Sequence, residues 1–247
     1  MPKLEVSNLS FRYEREPLFE GISFAVEEGE FVSILGPSGC GKSTVLNLLA
    51  GILKPESGQM TVDGAPICGM TAHFAYMPQN DLLFPWKTII QNVCLHARLH
   101  RREREVRARA LELFPAFGLA GYENAYPGEL SGGMRQRAAF LRTALCEADV
   151  LLLDEPFGAL DVISRGDMQD WLASMRERLG RTCLLVTHDI DEAIYLSDRI
   201  LVFGGSPAQI RSVVPVQDRE RTRDWLYAQS DLRRRLHNLI RGTEEAR

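Results

Sequence analysis

Gly36-Pro37-Ser38-Gly39-Cys40-Gly41-Lys42-Ser43-Thr44 follows the apolar run Phe31-Val32-Ser33-Ile34-Leu35 and precedes the helix-like Val45-Leu46-Asn47-Leu48-Leu49. A strand, a glycine-rich turn and a helix start in this order and spacing make a phosphate-binding loop. Little-hindered residues let successive backbone N–H groups turn inward around phosphate oxygens, and the helix start adds its own unpaired donors. Lys42 is placed to reach the β- and γ-phosphates, and Ser43 to offer its hydroxyl to Mg²⁺. The surrounding strand and helix separate this stretch from a chance glycine turn.

A second aliphatic run, Val150-Leu151-Leu152-Leu153, ends in Asp154-Glu155-Pro156. Continuous aliphatic runs mark buried parallel strands, and open α/β sheets bind ligands beyond the C-terminal ends of such strands. Asp154 is therefore expected to orient Mg²⁺, and Glu155 to position, or take a proton from, the water that attacks the γ-phosphate. Two acids after a strand are common by themselves; the phosphate loop upstream gives them their meaning.

Composition narrows the setting. The 247 residues are enough for a full core with a subdomain, and a net charge of −4 argues against a chain that wraps nucleic acid. No stretch is apolar for long enough to cross a bilayer, and Met1-Pro2-Lys3-Leu4-Glu5 lacks an export pattern, so a cytosolic chain is expected. The five cysteines Cys40, Cys68, Cys94, Cys146 and Cys183 are scattered, without the spacing of a disulfide framework or a zinc site. Cys40, inside the phosphate loop, reads as a small residue fitting a tight turn.

Alternation in Leu4-Glu5-Val6 and in Ile22-Ser23-Phe24-Ala25-Val26 predicts antiparallel strands ahead of the phosphate loop, and 58–64 predicts a strand ending in an Asp63-Gly64 turn. From Leu82 to Leu130 the texture turns helical and charged, and the basic run 98–109, interspersed with glutamates, reads as a solvated helix face. Between the nucleotide motifs, Leu130-Ser131-Gly132-Gly133-Met134-Arg135-Gln136-Arg137 leads into a helix expected over 138–146. A hydroxyl and two glycines at a helix start make a second anion site.

With that element the chain resembles the ATP-binding subunits of the ATP-binding cassette (ABC) transporter family, from about Leu4 to Gly204. Leu-Ser-Gly-Gly is the signature of that family, whose usual glutamine after the second glycine is Met134 here. The resemblance implies a three-layer α/β core of the P-loop type, with an antiparallel β-subdomain and a helical subdomain inserted at about 82–145. Residues 1–205 would form the ATPase domain and 206–247 an extension of a strand and helices, too short for the β-barrel regulatory domain of sugar-importer ATPases. It implies ATP and Mg²⁺ as ligands and a head-to-tail homodimer in which Ser131, Gly132 and Gly133 close on the γ-phosphate held by the other chain. Gln79, in Tyr76-Met77-Pro78-Gln79, corresponds to the glutamine that reaches Mg²⁺ and the attacking water. Gly158-Ala159-Leu160-Asp161 corresponds to the loop crossing the dimer interface, and His188, in Thr187-His188-Asp189, to the histidine contacting the γ-phosphate. Tyr13 most resembles the aromatic that stacks on adenine, with Phe11 two residues away as the other candidate.

The Leu82-Leu83-Phe84-Pro85-Trp86 stretch is similar to one in ATPases of the nitrate, sulfonate, taurine and thiamine-precursor importers, where it borders the groove for a helix of the membrane subunit. The competing reading packs Phe84 and Trp86 inside the helical subdomain. The resemblance thus implies a peripheral subunit on the cytoplasmic face of the membrane, partnered by permease subunits and indirectly by a substrate-binding protein, without nucleic acid. A soluble ABC ATPase of DNA repair or translation is the alternative; it would bring a coiled-coil insertion or a second cassette, and neither is seen.

Overall fold

The computed structural model describes residues 1–14, 16–158, 160–217 and 221–242. The chain opens with two long antiparallel strands, β1 (Leu4–Tyr13) and β2 (Glu16–Val26), whose inward residues alternate with exposed ones. Then comes β3 (Phe31–Leu35), buried at every residue, which feeds the phosphate loop and α1 (Lys42–Leu49). β4 (Ser57–Val62) and β5 (Ala65–Pro66) are joined at Asp63 and Gly64, both at positive φ, the two-residue hairpin turn that Asp-Gly favours.

β6 (Phe74–Met77) leads to the helical region, which holds α2 (Ile89–Val93), α3 (Leu95–Leu99), α4 (Glu103–Leu113) and α5 (Gly132–Ala144). The segment between α4 and α5 is turns and one short 3₁₀ turn rather than a helix, interrupted at Pro115, Gly118, Gly121 and Pro127. The remaining elements are β7 (Val150–Asp154), α6 (Val162–Leu179), β8 (Thr182–Thr187), α7 (Ile190–Leu196), β9 (Arg199–Gly204), β10 (Gln209–Pro215), α8 (Arg223–Ala228) and α9 (Ser230–Arg241).

The strands form two sheets, a four-stranded antiparallel one ordered β2-β1-β4-β5 and a six-stranded one ordered β10-β9-β3-β8-β7-β6. The larger sheet is parallel apart from β10, which runs antiparallel to β9 at its edge. Because β3, β7 and β8 are buried on both faces, their sequences are dominated by aliphatic residues instead of alternating with exposed polar ones.

Two apolar clusters explain the layering. On one face Val32, Ile34, Leu152, Leu184 and Val186 pack against α1 and the inner side of the antiparallel sheet. On the other, Leu35, Leu151, Leu153, Leu185 and Val202 meet residues of α2, α5, α6, α7 and α9. The sheet is thus sandwiched in three layers, and its C-terminal strand ends bring the phosphate loop, Asp154 and Thr187 to one edge. The C-terminal segment is part of this arrangement: β10 extends the sheet, and Leu236 and Leu239 of α9 are buried in the second cluster.

Candidate functional site

The phosphate loop is shaped by its neighbours within the chain. A Cβ on Gly36 would stand 2.7 Å from the Phe203 carbonyl oxygen, and Gly41 has φ +96° with the Leu18 side chain 2.9 Å from where a Cβ would sit. Lys42 is 4% exposed, and its Nζ donates to the carbonyls of Gly36 (2.9 Å) and Pro37 (2.8 Å), which holds the ammonium inside the turn of the loop. Ser38 and Gly39 are exposed; Pro37 also lies at the surface, while Thr44 is buried in the first turn of α1. Burial pushes the Cys40 thiol up, away from the reactive thiolate, in keeping with its reading as a small turn residue.

The acids come to the same edge. Ser43 Oγ donates to Asp154 Oδ1 at 2.8 Å, and the Tyr76 hydroxyl donates to Asp154 Oδ2 at 3.0 Å. Burial pushes the Asp154 carboxyl up, against the hydrogen bonds from Ser43 and Tyr76. Glu155 sits just past the strand at φ +42°, sparsely populated for a residue with a side chain, which costs about 1–3 kcal/mol and is held in place by its N–H bond to the Val186 carbonyl (2.9 Å). Its carboxylate meets Gln79 Nε2 at 3.4 Å through Oε2 and His188 Nδ1 at 3.2 Å through Oε1. Gln79, Glu155 and His188, far apart in sequence, therefore surround one point beside Asp154 and the phosphate loop.

Tyr76 went unnoticed at the sequence level, although it is three residues from Gln79 and points its hydroxyl at the acid that Ser43 also holds. A second set also went unnoticed on α5. Gln136 Nε2 donates to the Gln79 carbonyl (3.4 Å), Arg135 Nε to Asp81 (3.1 Å), and Arg142 to the carbonyls of Asp81 (2.6 Å) and Leu82 (2.8 Å). The helix that begins at Ser131 is thereby fastened to the segment carrying Gln79. Only the run of arginines and glutamine at helical spacing after the signature hints at this.

Ser131 is the N-cap of α5, accepting the Met134 N–H at 3.3 Å, so the helix starts at Gly132 and not at residue 138 as expected. The two glycines are part of the first turn, where the cap makes up for their low propensity. They are unhindered: a Cβ on Gly132 would meet nothing closer than 3.8 Å, and one on Gly133 nothing closer than 3.9 Å. Asp161 caps α6, accepting from Ile163 and Ser164, and the hydrogen bonds from Ser164 hold its carboxyl below the usual range. Ala159 of the same loop lies outside the described residues.

Phe11 and Tyr13 differ in surroundings. Phe11 leans on buried Phe19, whereas Tyr13 is 53% exposed and borders a cavity of about 910 Å³ with Leu18, Gly39 and Cys40, open beside the phosphate loop. The apolar stretch after Gln79 also divides: Leu83 is buried in the core, Phe84 is half-buried against Trp86 with ring centroids 5.2 Å apart, and Trp86 is 69% exposed. Within the Leu82–Trp86 stretch, Leu83 is therefore part of the core and not of an exposed groove lining.

A phosphate loop, a paired acid at the end of β7 and a second, exposed helix start capped by a serine are the features of a nucleotide-hydrolysing cassette. The ABC transporter family model matches residues 19–158, and the chain belongs to that family as an ATPase. Formylaminopyrimidine import ATP-binding protein ThiZ of Halalkalibacterium halodurans is 46% identical over 206 residues, covering 83% of this chain and 80% of its own. Taurine import ATP-binding protein TauB of Yersinia pestis is 40% identical over 208 residues, 84% of this chain and 82% of its own. Among solved structures, the ATP-binding cassette MJ0796, dimeric in a post-hydrolysis state with ADP and Pi, superposes with a TM-score of 0.71 at 26% identity, covering 87% of this chain and all of that one.

Proposed function

We propose that the chain is the ATP-hydrolysing subunit of an import system for a small solute, working as a head-to-tail homodimer on the cytoplasmic face of membrane permease subunits that receive solute from a binding protein. The observation that carries the reading is the meeting of Gln79, Glu155 and His188 at one edge, while Ser131 and Gly132 stand exposed at another helix start. A signature whose flanking Leu130 is buried while Ser131 and Gly132 stay exposed, with no neighbour crowding the glycines, is suited to close on a second copy. In this reading residues 1–205 form the ATPase domain, with the helical subdomain at about 82–145, and 206–247 an extension.

The phosphate-loop N–H groups and Lys42 hold the β- and γ-phosphates, and Tyr13 stacks on the adenine at the mouth of the cavity it borders. Glu155 orients the attacking water and accepts its proton, steadied by His188 on one oxygen and Gln79 on the other. Ser43, Asp154 and Gln79 present oxygen donors suited to Mg²⁺ held largely by phosphate and water rather than by a protein cage. When bound, the ion neutralises phosphate charge as the γ-phosphoryl group is transferred. Motion reaches the membrane subunits through α5 and the Gln79 segment it holds, with exposed Trp86 as a docking contact. Among the described residues no helix is long and apolar enough to cross a membrane, in line with a peripheral subunit.

The decisive experiment is Glu155→Gln. Turnover should fall by about 10²-fold or more, the scale of losing a positioned base, while ATP binding persists and the chain runs as an ATP-bound dimer in size-exclusion chromatography. Near-normal hydrolysis by a folded Glu155→Gln protein removes Glu155 from the mechanism.

A further inference from the structure

Glu192 has no part in the phosphate chemistry described above, yet its carboxylate is 4% exposed and lies within one turn of His188. Oε2 accepts the Thr187 hydroxyl at 2.5 Å and Oε1 accepts Gln169 Nε2 at 3.2 Å. Thr187 Oγ1 in turn accepts the backbone N–H of Asp189 at 3.0 Å, so the residues on both sides of His188 are fastened to one side chain. The chain of bonds continues outward, since Arg223 of α8 donates to Gln169 Oε1 at 2.9 Å and also binds Asp170 at 2.7 Å. The C-terminal segment thus reaches the segment bearing His188 through α6.

A carboxylate is the one state of Glu192 that accepts from both donors. Protonated, it must itself donate, and the hydroxyl of Thr187 or the amide of Gln169 loses its acceptor. The charged groups acting on it are Asp189 at the start of its own helix and Arg165 of α6, 3.7 Å from Asp189; beyond them Arg223 of α8 holds Gln169, and Arg233 of α9 is paired with Asp191 at 2.7 Å. We infer that Glu192 is a positioning residue for His188, holding the Thr187–Asp189 backbone in register, with Gln169 and Arg223 of the C-terminal segment seating it. The inference rests on His188 acting at the γ-phosphate.

Burial pushes the Glu192 carboxyl up to about 7 despite the hydrogen bonds from Thr187 and Gln169. As pH falls through that value Glu192 takes up a proton, one donor is stranded, and turnover falls; as pH rises the network is restored.

The test measures kcat, nucleotide affinity and melting temperature of the full chain across roughly pH 6 to 9, for wild type, Glu192→Gln, Thr187→Val, Thr187→Ser and His188→Ala. Glu192→Gln and Thr187→Val should each lower kcat about tenfold or more, the scale of misplacing a catalytic group, with nucleotide affinity unchanged. Glu192→Gln should also lack the acid limb near pH 7, and Thr187→Ser, which keeps the hydroxyl, should restore the rate. Should Glu192→Gln fail to fold, the Thr187 pair carries the same test. A wild-type rate and profile in Glu192→Gln, with His188→Ala inactive, overturns the proposal alone. Full turnover in His188→Ala overturns the reading of the site together with it. Parallel loss of kcat, nucleotide affinity and melting temperature without rescue by Thr187→Ser makes the network structural and overturns it as well.

Discussion

The starts of α1 and α5 present the same chemistry, unpaired N–H groups behind glycines, in opposite surroundings. At α1 the glycines are demanded by the chain itself: Phe203 and Leu18 crowd Gly36 and Gly41, Lys42 is buried, and Ser43 is tied to Asp154. At α5 Ser131 caps an exposed helix end whose glycines face no neighbour nearer than 3.8 Å. A glycine that nothing in its own chain requires keeps a surface bare for something else. One anion site is finished within the chain; the other, in the function proposed above, is half of a site.

The sharpest way to break this contrast is Ser131→Arg. Blocking closure over the γ-phosphate should reduce turnover by about 10²-fold, comparable to removing a preorganised anion donor, while nucleotide affinity of the monomer stays near wild type. Lys42→Ala should lose that affinity instead, and mixing the two variants should recover heterodimers with one intact composite site. Equal loss of monomer ATP binding in Ser131→Arg and Lys42→Ala would end the two-chain model.

A smaller effect separates the glycines. Gly41→Ala places a side chain at φ +96° and should destabilise the fold by about 1–3 kcal/mol in urea melts. Gly132→Ala, in an unhindered helical turn, should leave stability unchanged or raise it by up to about 1 kcal/mol while slowing turnover. If both destabilise alike, the α5 glycines serve packing and not a partner.

The mildest effect concerns Trp86, the docking contact proposed above. Trp86→Ala should weaken assembly with detergent-solubilised membrane subunits by about 1 kcal/mol or more in a pull-down titration, with the melt of the isolated chain shifted by less than about 0.5 kcal/mol. Unfolding of the isolated chain would instead place Trp86 in the core, and normal assembly would move the groove elsewhere.

Much of the site was legible because phosphate binding is written in local backbone. Gly36 to Thr44, Asp154-Glu155 and Ser131-Gly132-Gly133 each depend on a strand end or helix start that short-range sequence specifies. Gln79 and His188 needed the family resemblance, and the contacts of both with Glu155 place them at the same edge. The start of α5 was read late because glycines argue against a helix, while a serine cap and tertiary packing supply what they lack.

Sequence alone determined the order of motifs, the buried parallel strands and the residue types that handle phosphate, since periodicity and turn chemistry act over a few residues. Tertiary structure alone decided that Tyr76 reaches Asp154, that Tyr13 and not Phe11 opens onto the cavity, that Leu83 turns inward while Trp86 turns out, and that Glu192 sits under Thr187. Each of those depends on which face of a strand or helix meets which neighbour after sheet register and helix packing are set. Contacts between segments so distant in the chain have no local signal.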